Sequence, residues 1–370
     1  MLSLVTGYIV PFLLILSVVV FVHEFGHYWV ARRCGVRIEV FSIGFGPELF
    51  GWTDSVGTRW KFSLIPLGGY VKMHGDEDVT STTASAAAGD PQAFPAKSVG
   101  QRMAIVAAGP AANFLFAILV LAFFFVFVGR PFTPPVVGEV LPDTPAAAAG
   151  LEPGDRIVAV DGEPVESFEE LQQLVRDRPG EPLRFVVERG GTRLGLVVTP
   201  ALREIETRFG TQRIGMIGVA RSGVEYRRSH PLTAPFEAAA ETVRIAVVTL
   251  VGVGEMIVGA RGTEELGGPI RIAQMSGEIA QEGLLPAIWF TAILSINLGL
   301  INLFPIPMLD GGHLLLYTVE AIRGRPLTER SLEIAFRLGL AMVASLMLFA
   351  TWNDLRQLEV VDFFVRLISS

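Results

Sequence analysis

The chain has 370 residues, of which 51% are hydrophobic and 18% charged, with a formal net charge of −7 and a mean hydropathy of +0.48. Soluble globular chains are nearer about a quarter charged, and no basic run of the kind that tracks phosphate occurs, so a wholly soluble protein and a nucleic-acid partner are both disfavoured. The one cysteine, Cys34, excludes an internal disulfide and a cysteine-based structural zinc site.

The first apolar block runs from Gly7 to Val30 and is broken only by His23, Glu24 and His27. Residues 1–22 carry no Lys or Arg, unlike the start of a signal peptide, whereas Arg32, Arg33 and Arg37 follow at once. The block therefore reads as a retained span with its N-terminus outside and its histidines toward the cytoplasm. Residues 36–73 alternate in polarity and are punctuated by Gly44, Gly46, Gly68 and Gly69, the pattern of strands or hairpins with glycine turns. Residues 79–96 are rich in Ala, Ser and Thr and are expected to form a mobile cytoplasmic loop. Lys97 and Arg102 then precede an uncharged span, Met103 to Val128.

From about Pro131 to Pro200 the pattern becomes that of a soluble domain. Strand-like Pro135–Leu141 leads to Gly150-Leu-Glu-Pro-Gly-Asp155 and a strand ending near Asp161. Ser167 to Arg176 predicts a helix with a Ser cap and Glu170 three positions on, a capping box. Two more strands meet at Gly190-Gly191. This run resembles a PDZ domain of the bacterial protease type. The stretch 245–260 is apolar but short and contains Glu255; it is expected to lie at the membrane interface. Spans at Leu284–Phe304 and Leu332–Trp352 close the chain, with Arg323, Arg325 and Arg330 between them marking a cytoplasmic loop. The expected organisation is a membrane half over 1–130, with a re-entrant β segment at 36–73, and a PDZ-like α+β domain over 131–205. A linker with an interfacial helix over 206–283 and a second membrane half over 284–370 follow. The fold class is thus a polytopic α-helical membrane protein of about four spans, with a membrane-associated β-hairpin region and one inserted domain.

His23-Glu24-Phe25-Gly26-His27 carries the chemistry. On a helix the two histidines lie one turn apart on one face and can reach one metal ion, with Glu24 placed to take a proton from a metal-bound water. Zinc lowers the pKa of such a water to about 7. The pattern also arises by chance, but ionisable groups inside a span cost about 2.5–3.5 kcal/mol each and by default mark function. A catalytic zinc needs a third protein ligand. Asp310 is the candidate, in Asn302-Leu-Phe-Pro-Ile-Pro-Met-Leu-Asp310-Gly-Gly-His313, where two prolines break the third span. Asp310 equally suits a helix N-cap, and His313 is a weaker ligand candidate.

These motifs together resemble the bacterial site-2 protease family, of the sigma-E regulatory type. The resemblance rests on His23–His27, Phe41–Pro47, Ile65–Lys72, Gly109-Pro-Ala-Ala-Asn113, the PDZ-like signature and Asn297 through His313. It implies Zn2+ held by His23, His27 and Asp310, with Glu24 as general base, in a bacterial inner membrane. It further implies cleavage of single-pass membrane proteins, such as anti-sigma factors, after a first cut by an upstream site-1-type protease. The single PDZ-like domain departs from the tandem pair of the enterobacterial members. Gly44, Gly46, Gly68 and Gly69 mark an edge that could pair with an extended substrate, or a plain cytoplasmic hairpin. Asn297 and Asn302 could bind the unwound substrate or link helices, and Asn113 reads as structural. The inserted domain is expected to bind a new C-terminus or to filter bulky substrates, the filter being favoured. A membrane scaffold and a metal transporter are the rival readings. Both termini and the inserted domain are expected outside, with the site facing the cytoplasm.

Overall fold

The structure, a computed structural model, describes residues 5–75, 90–207, 210–223, 225–260, 262 and 267–357. After a π-helical turn at Val5–Ile9, α1 (Val10–Arg33) leads into β1 (Ile38–Thr53), β2 (Arg59–Met73) and α2 (Val99–Phe127). The inserted unit contributes β3 (Arg130–Phe132), β4 (Val137–Val140), α3 (Pro145–Ala148), β5 (Arg156–Val160), β6 (Glu163–Pro164) and α4 (Phe168–Arg176). It continues with β7 (Leu183–Arg189), β8 (Thr192–Val198), β9 (Ala201–Thr207), β10 (Gly210–Met216), β11 (Val219–Arg221) and β12 (Glu225–Arg227). Helices α5 (Ala234–Ile257), α6 (Pro269–Glu282), α7 (Leu284–Asn302), α8 (Asp310–Arg323) and α9 (Glu329–Gln357) complete the chain.

Among the described residues, four helical segments are long and apolar enough to cross a membrane: Val5–Arg33, Val99–Phe127, Leu284–Asn302 and Arg330–Gln357. The chain is thus a polytopic helical membrane protein with a β-rich segment and an inserted α+β unit. It divides into one compact unit of Met1–Ala122, Pro235–Val251 and Gly262–Ser370, and a second of Phe123–Ala234 with Gly252–Arg261.

In the first unit, β1 and β2 wrap more tightly than a simple hairpin. Val40–Ile43 pairs with Gly69–Lys72 on one side and with Arg59–Phe62 on the other, while Glu48–Thr53 covers the far side of Arg59–Ser63. Gly69–Lys72 is therefore an edge. Exposed Phe45, Leu49, Phe50, Leu64, Ile65 and Leu67 cluster toward the bends, an apolar surface suited to lipid. The sheet base packs on the helices through Ala31, Val36, Ile38, Met73, Phe94 and Ile105. Of the polar segment 79–96, residues 79–89 lie outside the described residues. The remainder is folded rather than loose: Phe94 is buried in that cluster, and its amide donates to the His74 carbonyl at 2.9 Å.

Elsewhere in this unit, the Asp354 carboxylate of α9 accepts from the amides of Gly268, Ile270 and Arg271 at 2.8–3.1 Å. It thereby satisfies the open first turn of α6. Arg102 of α2 donates to Glu320 of α8 at 2.6 Å and lies over the Tyr317 ring, tying α8 to α2. Helix α5 corrects the expected short 245–260 segment: it starts at Ala234, with proline in its first turn, and has 24 residues. Glu237, Glu241 and Arg244 interrupt the apolar run in its first half, while Ala238–Ala240 favour helix.

In the second unit, β6-β5-β7-β8 form a sheet, and β4 pairs with β11. Ile157, Leu171, Leu183, Phe185, Val187, Val198 and Ile217 form its core. The Ser167–Glu170 capping box is present at the start of α4. The unit runs past the expected boundary at 205, because β11 supplies the partner of β4 and Ile217 fills the core. Asp155 is fully buried, and Arg189 grips both its oxygens at 2.7 Å. That guanidinium holds the Asp155 carboxyl below the usual carboxylate range.

Candidate metal centre

Three side chains from two helices distant in sequence converge in the first unit. His23 and His27 point from one face of α1, and Asp310 opens α8. Asp310 Oδ2 lies 3.1 Å from His23 Nε2 and 3.6 Å from His27 Nε2, and the two Nε2 atoms are 3.3 Å apart. Among the described residues, these three form the group of His, Cys and acidic side chains whose donor atoms all fall within 4.8 Å. Both imidazoles are buried.

The alternative role for Asp310 is not realised. Leu309 occupies the cap position of α8 with no side-chain cap bond. Instead Asp310 Oδ2 is buried without a hydrogen-bond partner, a costly arrangement for a carboxylate oxygen unless a cation meets it. The chain reaches this point through a strained step: Met308, two residues earlier, has φ of 86°, rare for a residue with a side chain. Gly311 and Gly312 let α8 begin hard against Leu303 and Ile306, whose carbonyls lie 2.2 and 2.3 Å from where a Cβ would sit.

The donor set fits zinc. Two imidazoles and one carboxylate are a ligand set of catalytic zinc sites, which leave a further position open. His27 Nδ1 lies 2.9 Å from the Ile105 carbonyl. Since a carbonyl only accepts, Nδ1 carries a proton, and in the neutral ring Nε2 then keeps its lone pair for a metal.

Glu24 follows His23 and sits against the edge of the sheet. Its carboxylate lies close to the Val71 backbone. Its Cγ lies 3.2 Å from where a Gly69 Cβ would be, and Val20 Cγ1 lies 2.9 Å from the same point. Gly69 therefore lets the edge strand press onto α1. Gly44 and Gly68 shape the bends instead, against the Ile65 carbonyl and the Phe45 ring, and a Cβ on Gly46 would meet only Ile65 Cδ1, at 4.0 Å. Asn302, the last residue of α7, brings its amide to 3.4 Å from His23 Nε2. Asn297 is elsewhere, accepting at 3.2 Å from Thr249 of α5. His313 is outside the ligand group and packs against Phe336 and Tyr317.

One necessary residue was not singled out by the sequence. A Cβ on Gly109 would fall 2.3 Å from His27 Nε2 and 2.9 Å from His23 Cε1, so only glycine lets both rings lie against α2. Its signal was the small-residue run Gly109-Pro-Ala-Ala, typical of close helix contacts in membranes.

The sequence profile of peptidase family M50 matches residues 11–346. An Agrobacterium fabrum protein named a "putative zinc metalloprotease" is 48% identical over 364 residues, covering 95% of this chain and 97% of its own. The metalloprotease MmpA of Caulobacter vibrioides is 40% identical over 385 residues, covering 96% and 97%. Among solved structures, the PDZ domain of the SdrC-like protein of Listeria innocua is similar at 23% identity. It covers 25% of this chain and 99% of that one, with a TM-score of 0.21.

Proposed function

Because this chain belongs to peptidase family M50, we propose that it is a zinc endopeptidase that cuts single-pass membrane proteins within the bilayer. The observation that carries this reading is the meeting of His23, His27 and an unpartnered Asp310 carboxylate beside Glu24, on a helix apolar enough to span. His23, His27 and Asp310 would hold the ion. When bound, zinc supplies Lewis acidity and lowers the pKa of a coordinated water to about 7.

The protein's own groups do the rest. Glu24 takes a proton from the attacking water and returns it to the leaving amine. A helical substrate has its carbonyls already bonded within the helix, so a few residues must be drawn out. The Gly69–Lys72 edge receives them as an added strand. Since Val71 of that edge lies close to Glu24, strand addition brings the extended segment beside the base. The Asn302 amide, close to His23 Nε2, is placed to donate to the carbonyl under attack. The inserted unit filters by bulk, so substrates arrive after an upstream protease has removed their outer domains. The enzyme resides in a bacterial inner membrane with the site toward the cytoplasm and the inserted unit outside. Anti-sigma factors and signal-peptide remnants fit that substrate class.

The test is cleavage of a tagged single-pass substrate in reconstituted membranes, with zinc measured on the same samples. Glu24→Gln is expected to keep its zinc and lose about 10²–10⁴-fold in rate, the usual contribution of a general base. Asp310→Ala is expected to lose both zinc and cleavage. A Glu24→Gln protein that cuts at the wild-type rate sinks the mechanism and returns the scaffold and transporter readings.

A further inference from the structure

Ile105, Gly109 and Asn113 recur every fourth residue along α2 and so share one face. His27 and His23, also four apart, lie against that face in the reverse order. His27 meets Ile105, His23 meets Asn113, and the missing side chain of Gly109 makes room between them. The pairing has a chemical requirement at each end. For Nε2 to present a lone pair to a metal, Nδ1 must hold the ring proton, and something must accept it. The Ile105 carbonyl does this for His27. For His23 the partner is Asn113, whose amide lies 3.2 Å from Nδ1.

The amide orientation decides what Asn113 does. With Nδ2 toward His23, Asn113 Oδ1 is buried and has no hydrogen-bond partner, and a second donor faces the ring atom that must itself donate. Oxygen and nitrogen of a side-chain amide are nearly equal in shape, and the hydrogen-bond network settles which is which. Turning the amide over puts the acceptor on the ring proton. Asn113 is well fixed for such a task. It is fully buried, its backbone carbonyl accepts from Ser295 at 3.0 Å, and Gly299 of α7 abuts its Cβ.

We propose that Asn113 is a positioning residue: its Oδ1 accepts from His23 Nδ1–H and so fixes the ring form and orientation that let His23 bind the metal. This rests on the metal reading above and extends it from the three ligands to the groups on α2 that aim two of them. Outer partners of this kind typically alter metal affinity by about 10–100-fold when removed.

The experiment is metal binding by the purified full-length protein, with no substrate present. Zn2+ affinity is read by competition with a chromogenic chelator, and the ligand field is read from the visible bands of bound Co2+. Asn113→Leu keeps the size and removes the acceptor; it is expected to bind about 10–100-fold more weakly, with altered Co2+ bands. Asn113→Asp keeps an acceptor and has no donor when ionised; it is expected to stay close to wild type in both readouts. Equal affinity of Asn113→Leu and wild type overturns the proposal. So does an Asn113→Asp protein as weak as Asn113→Leu, since that means the amide acts as a donor. Melting of the metal-free proteins separates lost binding from lost folding, and if Asn113→Leu does not fold, the Asn113→Asp result decides alone. Absence of binding by wild type would instead overturn the metal reading itself.

Discussion

The inserted unit and the proposed metal cradle solve the problem of buried polar groups in opposite ways. In the inserted unit Asp155 is buried, but Arg189 grips both its oxygens and the Glu152 amide adds a third bond. Around it lies an ordinary core of aliphatic side chains and Phe185, so the unit folds by burying apolar surface. In the cradle, two imidazoles and a carboxylate are brought together with one oxygen left unpartnered. The helices there meet through glycine rather than through large side chains. The paired Asp155 carboxylate serves the fold, whereas the unpartnered Asp310 oxygen lies where the proposed ion would be held. If that contrast is right, damage in one region should leave the other's readout untouched.

The largest effect should come from Gly109→Val. Its added carbons fall where His27 Nε2 and His23 Cε1 already lie, and neither ring can retreat without leaving α2 or Asp310. Zinc content and cleavage are both expected to fall at least about 100-fold, as when first and outer contacts to a metal are lost together. Hydrogen exchange at the amides of β5 and β7 should remain as in wild type. Wild-type zinc content in this variant would mean the rings do not seat as described. The converse change is Phe185→Ala, a truncation in the inserted core expected to cost about 3–5 kcal/mol. It should speed exchange at β5 and β7 and leave zinc content unchanged; a parallel loss of zinc would break the contrast.

A smaller effect comes from pH. Asp155 is held below the ordinary carboxylate range chiefly by Arg189, so its folded pKa lies under its unfolded one. Its stabilisation is therefore complete above the unfolded value, about 3.9, and is lost as pH falls through the folded value. Protection of β5 and β7 should decline over that acid interval in wild type. Asp155→Asn should lower protection at neutral pH by about 1–3 kcal/mol, the cost of an unsatisfied buried pair, and flatten the acid decline. An unaltered pH profile in Asp155→Asn would show that another group governs it.

These two regions were also legible in the sequence to different depths. The inserted unit declared itself through local signals: alternating strands, paired glycines and a capping box, each formed by residues within a few positions of one another. Its C-terminal limit was missed because the β4–β11 pairing joins segments about eighty residues apart. In the membrane half, the spans followed from apolar length, His23, Glu24 and His27 from the cost of placing such groups in lipid, and Asp310 from the third protein ligand a catalytic zinc needs. What pattern could not supply was which glycine faces the rings, or that Asn297 and Asn302, one and a half turns apart on α7, serve different neighbours. Side-chain direction on a helix is readable from spacing, but the identity of the facing helix is a tertiary fact.

That last distinction gives the smallest expected effect. The Asn297 carbonyl accepts from Thr249, while the Asn302 amide lies beside His23. Interhelical hydrogen bonds in membranes average about 0.6 kcal/mol, so Thr249→Val should lower stability only slightly. If Asn297 is a link between α5 and α7, Asn297→Val should match Thr249→Val in stability, and the double variant should add nothing further, because one bond has been removed twice. Cleavage by all three should keep its KM. Asn302→Val should instead keep its stability and lose kcat if its amide acts at the reacting carbonyl as proposed. A raised KM in Asn297→Val with no change in Thr249→Val would return Asn297 to the substrate and draw the boundary of the cradle one turn deeper into α7.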